Sequence, residues 1–226
     1  MHTKRFPGES EAYRHARNEL LEEELLLRKQ IEAVARKRRS LPQGGALKEN
    51  YIFERLNEEG EVVQVEFADL FSAGKDTLVL YNFMFAPEAK SACPSCTSIM
   101  DSLDGSVHHL SQQINFVACA RAPIGKFVDW SKARGWRRLK MISSLNNTFN
   151  ADYHAEVDVK RQLPVVHVFK REPEGIFHFY SSELFFMPFE PGQGPRHVDS
   201  FWPIWNVLDL TPEGRGEDWN PMNSYD

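Results

Sequence analysis

Cys93 and Cys96 stand three positions apart in the stretch SACPSCTSIM, residues 91–100. Thiols at this spacing can pack inertly, supply half of a zinc site, or exchange with disulfides as a working pair. The backbone that carries them decides which. An apolar run ends shortly before Cys93, and beyond it Ile99, Met100, Leu103, Val107 and Leu110 recur at helical spacing. Pro94 suits the first position of that helix, where an N–H would find no partner anyway. Cys93 is then the N-cap and Cys96 the third helical residue. First-turn N–H groups point at the Cys93 sulfur, and the positive end of the helix dipole favours its thiolate. Such placement lowers a thiol pKa from about 8.5 into a range of roughly 3.5–7.5. Cys96, one turn in, is expected to be buried and protonated until needed, and a disulfide can close across the turn.

The other candidate groups weigh less. A zinc site would need ligands such as His108 and His109. Along a continuous helix His108 is about 18 Å from Cys96, whereas zinc ligands sit within about 2.3 Å of the metal; a break at Gly105 would be needed. Cys119 ends an apolar strand and is expected to pack as a small hydrophobe. His167 and His178, on the two arms of a late hairpin, read as satisfied sheet residues. Pro164 immediately precedes the strand VVHVF, which should lie beside the cysteine loop. A proline at a strand start is tolerable in any protein. Its functional reading is a cis-proline facing the dithiol that leaves a backbone edge free for a bound polypeptide or thiol.

The elements that must position these groups are legible from periodicity. Residues 9–39 hold no Gly or Pro and read as one long helix. Its stripe of Tyr13, Ala16, Leu20, Leu27, Ile31 and Val34 needs a partner, so a homodimer through this arm is expected. LPQGG at 41–45 ends it. A hairpin follows, YIFERL and EVVQVEF around NEEG. Then come the strand 77–85, the cysteine loop, the helix 94–110, the strand 114–120, a helix over 123–136, a short strand KMISS, and a second hairpin, PVVHVF with GIFHFYS. Apolar strands alternating with helices imply right-handed crossovers and a parallel core, to which the late hairpin adds antiparallel strands. The expected fold class is α/β, a mixed sheet flanked by helices. The expected division is a helical arm over 1–45 and a main domain over 46–226.

Composition narrows the function. The chain has 226 residues, 42% hydrophobic, with a net charge of −5. That acidic balance gives no field favouring nucleic acid or an anionic membrane, and the basic cluster Arg36 to Arg39 reads as a solvated helix end. No run approaches the roughly 18 apolar residues of a spanning helix. The opening residues MHTKRFPGES do not resemble a signal peptide, so a reducing cytoplasm is expected. Three cysteines are poor material for a disulfide framework, and in such a compartment a close pair is more often catalytic or metal-binding.

The order strand, C-x-x-C, helix, strand, helix, then Pro before a hairpin resembles the thioredoxin fold. At the level of words, RNELLEEELLLRKQIEAVARKRRSLP, KENYIFE, FADLFSAGKDTLVLYNFMFAP, CPSC, GWRRLKMISSLNNTFNADY, VVHVF and LDLTPEGR are similar to the thioredoxin-like family catalogued as domain of unknown function 899, related to the AhpC/TSA peroxiredoxin branch. The similarity runs over about residues 12–216. It implies thioredoxin-like thiol chemistry, with Cys93 and Cys96 at the positions of the active dithiol and Pro164 at that of the cis-proline. The chain departs from the peroxiredoxin pattern: Pro87 and Ser91 keep its first interval, but Cys93 comes one residue early and is followed by Pro94.

The function expected is therefore thiol–disulfide exchange on protein or small-molecule substrates, without a cofactor or metal. A thiol peroxidase of peroxiredoxin type is the alternative enzyme. A redox-inert scaffold that dimerises through its long helix is the alternative of a different class. Arg121, Trp136 and the segment SSLNNTFNADY are candidates to line the cleft.

Overall fold

The computed structural model describes residues 4–189, 191 and 194–225. The chain divides into two compact units, Met1–Pro42 and Gln43–Asp226. The first carries α1 (Glu11–Arg39), whose N-cap Ser10 accepts a hydrogen bond from the Tyr13 amide and whose last turn holds Arg36, Lys37, Arg38 and Arg39 against the negative end of the dipole. Tyr13, Leu20, Leu27 and Ile31, members of the expected stripe, are each more than half exposed.

The second unit is built on a seven-stranded sheet. In chain order its elements are β1 (Ile52–Leu56), β2 (Val62–Glu66), β3 (Thr77–Phe83), α2 (Pro94–Leu110), β4 (Asn115–Ala120), α3 (Ile124–Arg134), β5 (Lys140–Ser143), α4 (Phe149–Asp152), β6 (Glu156–Asp158), β7 (Arg161–Gln162), β8 (Val166–Glu172), β9 (Gly175–Ser181) and α5 (Pro203–Leu208). The sheet order is β2-β1-β5-β4-β3-β8-β9, with β6 and β7 forming a separate two-stranded ribbon. Strands β3, β4 and β5 run parallel, while β8 lies antiparallel to β3 and to β9. This is the expected mixed sheet, and its crossovers through α2 and α3 make it a thioredoxin-like fold.

Both faces of the central strands are buried, which is why they read as unbroken apolar runs rather than alternating ones. The period of two is still present in where the side chains go. Tyr81 and Phe83 of β3, with Phe116, Ala118 and Ala120 of β4, join Ile99, Met100 and Leu103 of α2 and Phe127 of α3 in one core. Leu78 and Leu80, with Val117 and Cys119, face the other core with Phe53, Phe67, Phe149 and Phe169. Cys119 is fully buried there, and burial pushes its thiol pKa up to about 12. Two turns behave as their residues predict: Asn57 and Gly60 close the β1–β2 hairpin, and Gly135 at φ +76° ends α3; α1 ends with Ser40 as its C-cap, directly before LPQGG.

The segment SSLNNTFNADY is a clasp on this second core rather than a cleft lining. Phe149, from its one-turn helix α4, is fully buried with its ring 5.3 Å from Tyr51, 5.5 Å from Phe53, 4.8 Å from Tyr153 and 5.9 Å from Phe67. Ser144 donates to Asn150 Oδ1 at 2.8 Å, and Asn82 Nδ2 donates to the same oxygen at 3.2 Å. Asn150 in turn donates to Gln162 Oε1 at 3.0 Å. Arg121 belongs to this clasp too. Its guanidinium donates to the carbonyls of Ser144, Leu145 and Asn147, and its Nε lies 3.2 Å from Glu156. Trp136 is likewise structural, 7% exposed and donating from its indole to Asp101 at 2.7 Å.

Candidate active site

The apolar strand β3 ends at Phe83, and the chain turns through residues 84–92 into α2. Lys126 and the Cys93 amide both tie that turn down. Lys126 of α3 donates to the carbonyls of Pro87 and Ala89, its Nζ standing 4.7 Å from the centre of the Phe85 ring. The amide of Cys93 donates to Met84 O at 3.1 Å. Pro94 then opens α2, with Cys93 as its N-cap in an extended-like backbone (φ −58°, ψ 126°). Thr97 closes the cap, donating to Cys93 O at 2.9 Å from both its amide and its hydroxyl.

The cap delivers the electrostatics that the spacing implies. The amide of Cys96 donates to Cys93 Sγ at 3.4 Å. The Cys93 pKa is brought down to about 7, first by a hydrogen bond from the Cys96 thiol, then by the amides of Cys96 and Ser95 and the Ser95 hydroxyl, against an opposing effect of burial. Cys93 is half-buried, whereas Cys96 is 1% exposed. Burial, reinforced by the neighbouring Cys93, holds the Cys96 thiol well above its ordinary range. All three cysteines are free thiols.

A third group completes the row. The hydroxyl of Tyr81, itself fully buried, donates to Cys96 Sγ at 3.2 Å. Burial holds the Tyr81 pKa far up, so its hydroxyl keeps its proton throughout the working range. The polar order is therefore Tyr81 O–H to Cys96 sulfur, and Cys96 S–H to Cys93 thiolate. Sequence reading passed over Tyr81 as one more member of an apolar strand. Its signal was faint: a strand residue with a polar tip, facing the same core as the helix that carries the thiols.

Pro164 reaches the same end of the sheet but not in the expected form. Tyr81 pairs with Val166 across β3 and β8, and the Asn82 amide donates to Val165 O at 2.9 Å. There is no cis peptide bond among the described residues, so Leu163–Pro164 is trans. The trans isomer is the lower-energy one, by about 0.5–1 kcal/mol for an X–Pro bond, and the local turn accommodates it. The Val165 amide donates back to Leu163 O at 3.1 Å, a three-residue turn with the proline at its centre. Nor is the edge free. His197 Nε2 donates to Pro164 O at 2.9 Å, and Ser182 pairs with Val166 through both its amide and its hydroxyl. His197 was missed because it stands in an irregular stretch with no periodic pattern.

The remaining candidates are placed as follows. Helix α2 runs unbroken through Gly105, so His108 and His109 are exposed at its far end. His167 and His178 do sit in the sheet, both bonded to Ser181 Oγ, at 2.6 and 2.7 Å. The reading of both as satisfied is corrected for His167, whose Nε2 is buried without a partner. Burial among aromatic rings brings its pKa down to about 3, so the imidazole stays neutral and the orphan nitrogen carries no charge. No helix among the described residues is long and apolar enough to cross a membrane.

The model of a family described as a bacterial protein of unknown function (DUF899) matches residues 3–226. No curated protein matches the chain. Among solved structures, peroxidoxin BcpB from Mycobacterium tuberculosis is similar at 13% identity over 74% of this chain and 98% of its own, with a TM-score of 0.46. The mitochondrial 2-Cys peroxiredoxin from Plasmodium falciparum is similar at 14% identity over 76% and 100%, with a TM-score of 0.47. Plasmodium yoelii thioredoxin peroxidase I gives 15% identity over 82% and 99%, with a TM-score of 0.46.

Proposed function

The chain belongs to the DUF899 family, and for it we propose a thiol–disulfide oxidoreductase activity carried by Cys93 and Cys96. The observation that supports this most is the unequal pair itself: a half-exposed, helix-capping Cys93 brought down to about pKa 7 beside a buried Cys96 held protonated.

The Cys93 thiolate attacks one sulfur of a substrate disulfide. A Cys93–substrate disulfide forms, and the other substrate half leaves as a thiolate that takes a proton from water. Cys96 then gives up its proton to water and attacks the Cys93 sulfur. The Cys93–Cys96 disulfide forms, and the second substrate half leaves as a thiolate. The substrate gains two electrons and the protein loses two, so an external dithiol must return them before the next cycle. Reduction of insulin by the protein with a dithiol reductant, measured beside peroxide consumption, tests the reading. Disulfide reduction supports it; peroxide consumption with no disulfide reduction would move the function to the peroxidase alternative.

Tyr81 is the positioning residue for the second half of this cycle. Cys96 must become an anion in an apolar site; the Tyr81 hydroxyl is the side-chain donor that can stabilise that charge, beside the Met84 amide. A hydrogen bond to a charged group contributes about 1.5–3 kcal/mol. Tyr81→Phe is accordingly expected to slow resolution about tenfold or more, with first attack by Cys93 unaffected. Rapid-quench measurement of mixed-disulfide decay reads this directly. Decay at the wild-type rate would remove Tyr81 from the mechanism.

A further inference from the structure

Beside the dithiol the structure holds a cavity of about 370 Å³, bordered by Ser95 between the two cysteines and by Trp202, Trp205, Trp219, Arg215 and Glu217. We propose that this cavity binds a planar aromatic group, uncharged or cationic, on the disulfide substrate; the proposal rests on the thiol–disulfide reading and names the substrate class for that same site.

Three observations carry it. The first is position: Ser95, whose amide and hydroxyl hydrogen-bond to the Cys93 sulfur, also borders the cavity, so one residue joins the cavity to the nucleophile.

The second is the wall. Trp202 and Trp205 meet edge to face at 5.3 Å, and Trp205 and Trp219 at 5.7 Å. Trp202 and Trp205 are almost fully buried, but Trp219 is 42% exposed. An indole left partly open beside an aromatic cluster can meet a further ring, stacked or edge to face, as aromatic pairs prefer.

The third is charge. Arg215 donates to both oxygens of Asp209, at 2.7 and 2.6 Å, and to Asp199 at 2.8 Å. Arg196 donates to the same two carboxylates, at 2.8 and 3.3 Å. Two guanidinium groups and two carboxylates thus cancel in a closed ring. No net positive charge is therefore left to draw an anionic ligand, while the exposed Glu217 adds a negative charge at the rim. A carboxylate-rich disulfide is disfavoured, and a neutral or cationic ring is not.

The cavity is held to the dithiol by the chain itself. Asn223 donates to Ala92 O at 2.9 Å, directly before Cys93, and Arg134 donates to Asn223 O at 2.7 Å. Gly214 and Gly216, at φ +62° and +70°, supply the left-handed turns that bring Trp219 over.

The test uses the full chain and two disulfides, dithiodipyridine, whose two rings are planar and uncharged, and hydroxyethyl disulfide, which has no ring. The ratio of their kcat/KM values cancels effects on the thiols, and Trp219→Ala is expected to lower that ratio about tenfold. Glu217→Gln is expected to raise kcat/KM for the anionic dithiobis(nitrobenzoate) several-fold relative to dithiodipyridine. An unchanged ratio in Trp219→Ala would overturn the proposal. Calorimetric titration of bipyridine into the Cys93→Ser protein separates this site from the chemistry. Saturable binding weakened about tenfold by Trp219→Ala supports the cavity even if no disulfide is reduced, and absence of binding removes it even if disulfides are.

Discussion

Replacing Cys93 by serine is expected to reduce disulfide reductase activity at least about a thousandfold, because a hydroxyl at this cap is no nucleophile near neutral pH and no second thiol can take its place. Cys96 is 1% exposed and Cys119 is fully buried with its pKa pushed up to about 12, so neither can meet a substrate as a thiolate. Cys96→Ser is expected to fail differently. Cys93 still attacks, but no resolving sulfur follows, and the protein accumulates as a mixed disulfide with its substrate. Intact-mass measurement after exposure to a small disulfide distinguishes the two variants: an adduct on Cys96→Ser and none on Cys93→Ser. Substantial activity in Cys93→Ser would remove the dithiol mechanism, whatever else the protein does.

The largest effect on stability is expected at Phe149. Its ring lies within about 6 Å of Tyr51, Phe53, Phe67, Tyr153 and Phe169, and it reaches them from a helix of only four residues. Phe149→Ala removes the ring around which the clasp folds. Truncating a buried Phe typically costs about 3–5 kcal/mol, which for a chain of this size lowers Tm by roughly 6–20 °C. Calorimetry or circular dichroism reads this directly, and a shift of under about 2 °C would mean that the clasp contributes little. The dithiol faces the other core, so the folded fraction of the variant should keep its Cys93 reactivity.

The sequence exposed those parts of the fold whose periodicity is strong. Strands β3 and β4, the helices α1, α2 and α3, and both hairpins stand within a few residues of their expected bounds, since each carries a repeat of 2 or 3.6 or an apolar run closed by turn residues. The capping geometry at Cys93 was equally legible, because Pro94 fixes the helix start and the start fixes which thiol the amides meet. What escaped was local structure set by distant contacts. The helices α4 and α5 and the β6–β7 ribbon are too short to show a period, and they exist because Phe149, Trp205 and Gln162 are buried. Tyr81 left only a faint signal and His197 none, for the same reason: a hydrogen bond across fifteen or thirty-three residues leaves no local pattern. Pro164 was the opposite failure. An expectation of a cis bond and an open edge, drawn from position alone, gave way to a trans turn whose carbonyl is already taken by His197.

The central claim is that Cys93 is the reactive thiol and Cys96 its protected partner. The most direct test is the rate of alkylation of each cysteine in the reduced, folded protein across a pH series, resolved by mass spectrometry. With Cys93 brought down to about pKa 7, its labelling should rise about tenfold per pH unit below 7 and level off above it, since the rate follows the thiolate fraction. At about pH 6.5, well below the ordinary thiol value near 8.5, Cys93 should be labelled first, with Cys96 and Cys119 untouched until the protein unfolds. Faster labelling of Cys96, or a Cys93 midpoint at or above the ordinary thiol value, would contradict it.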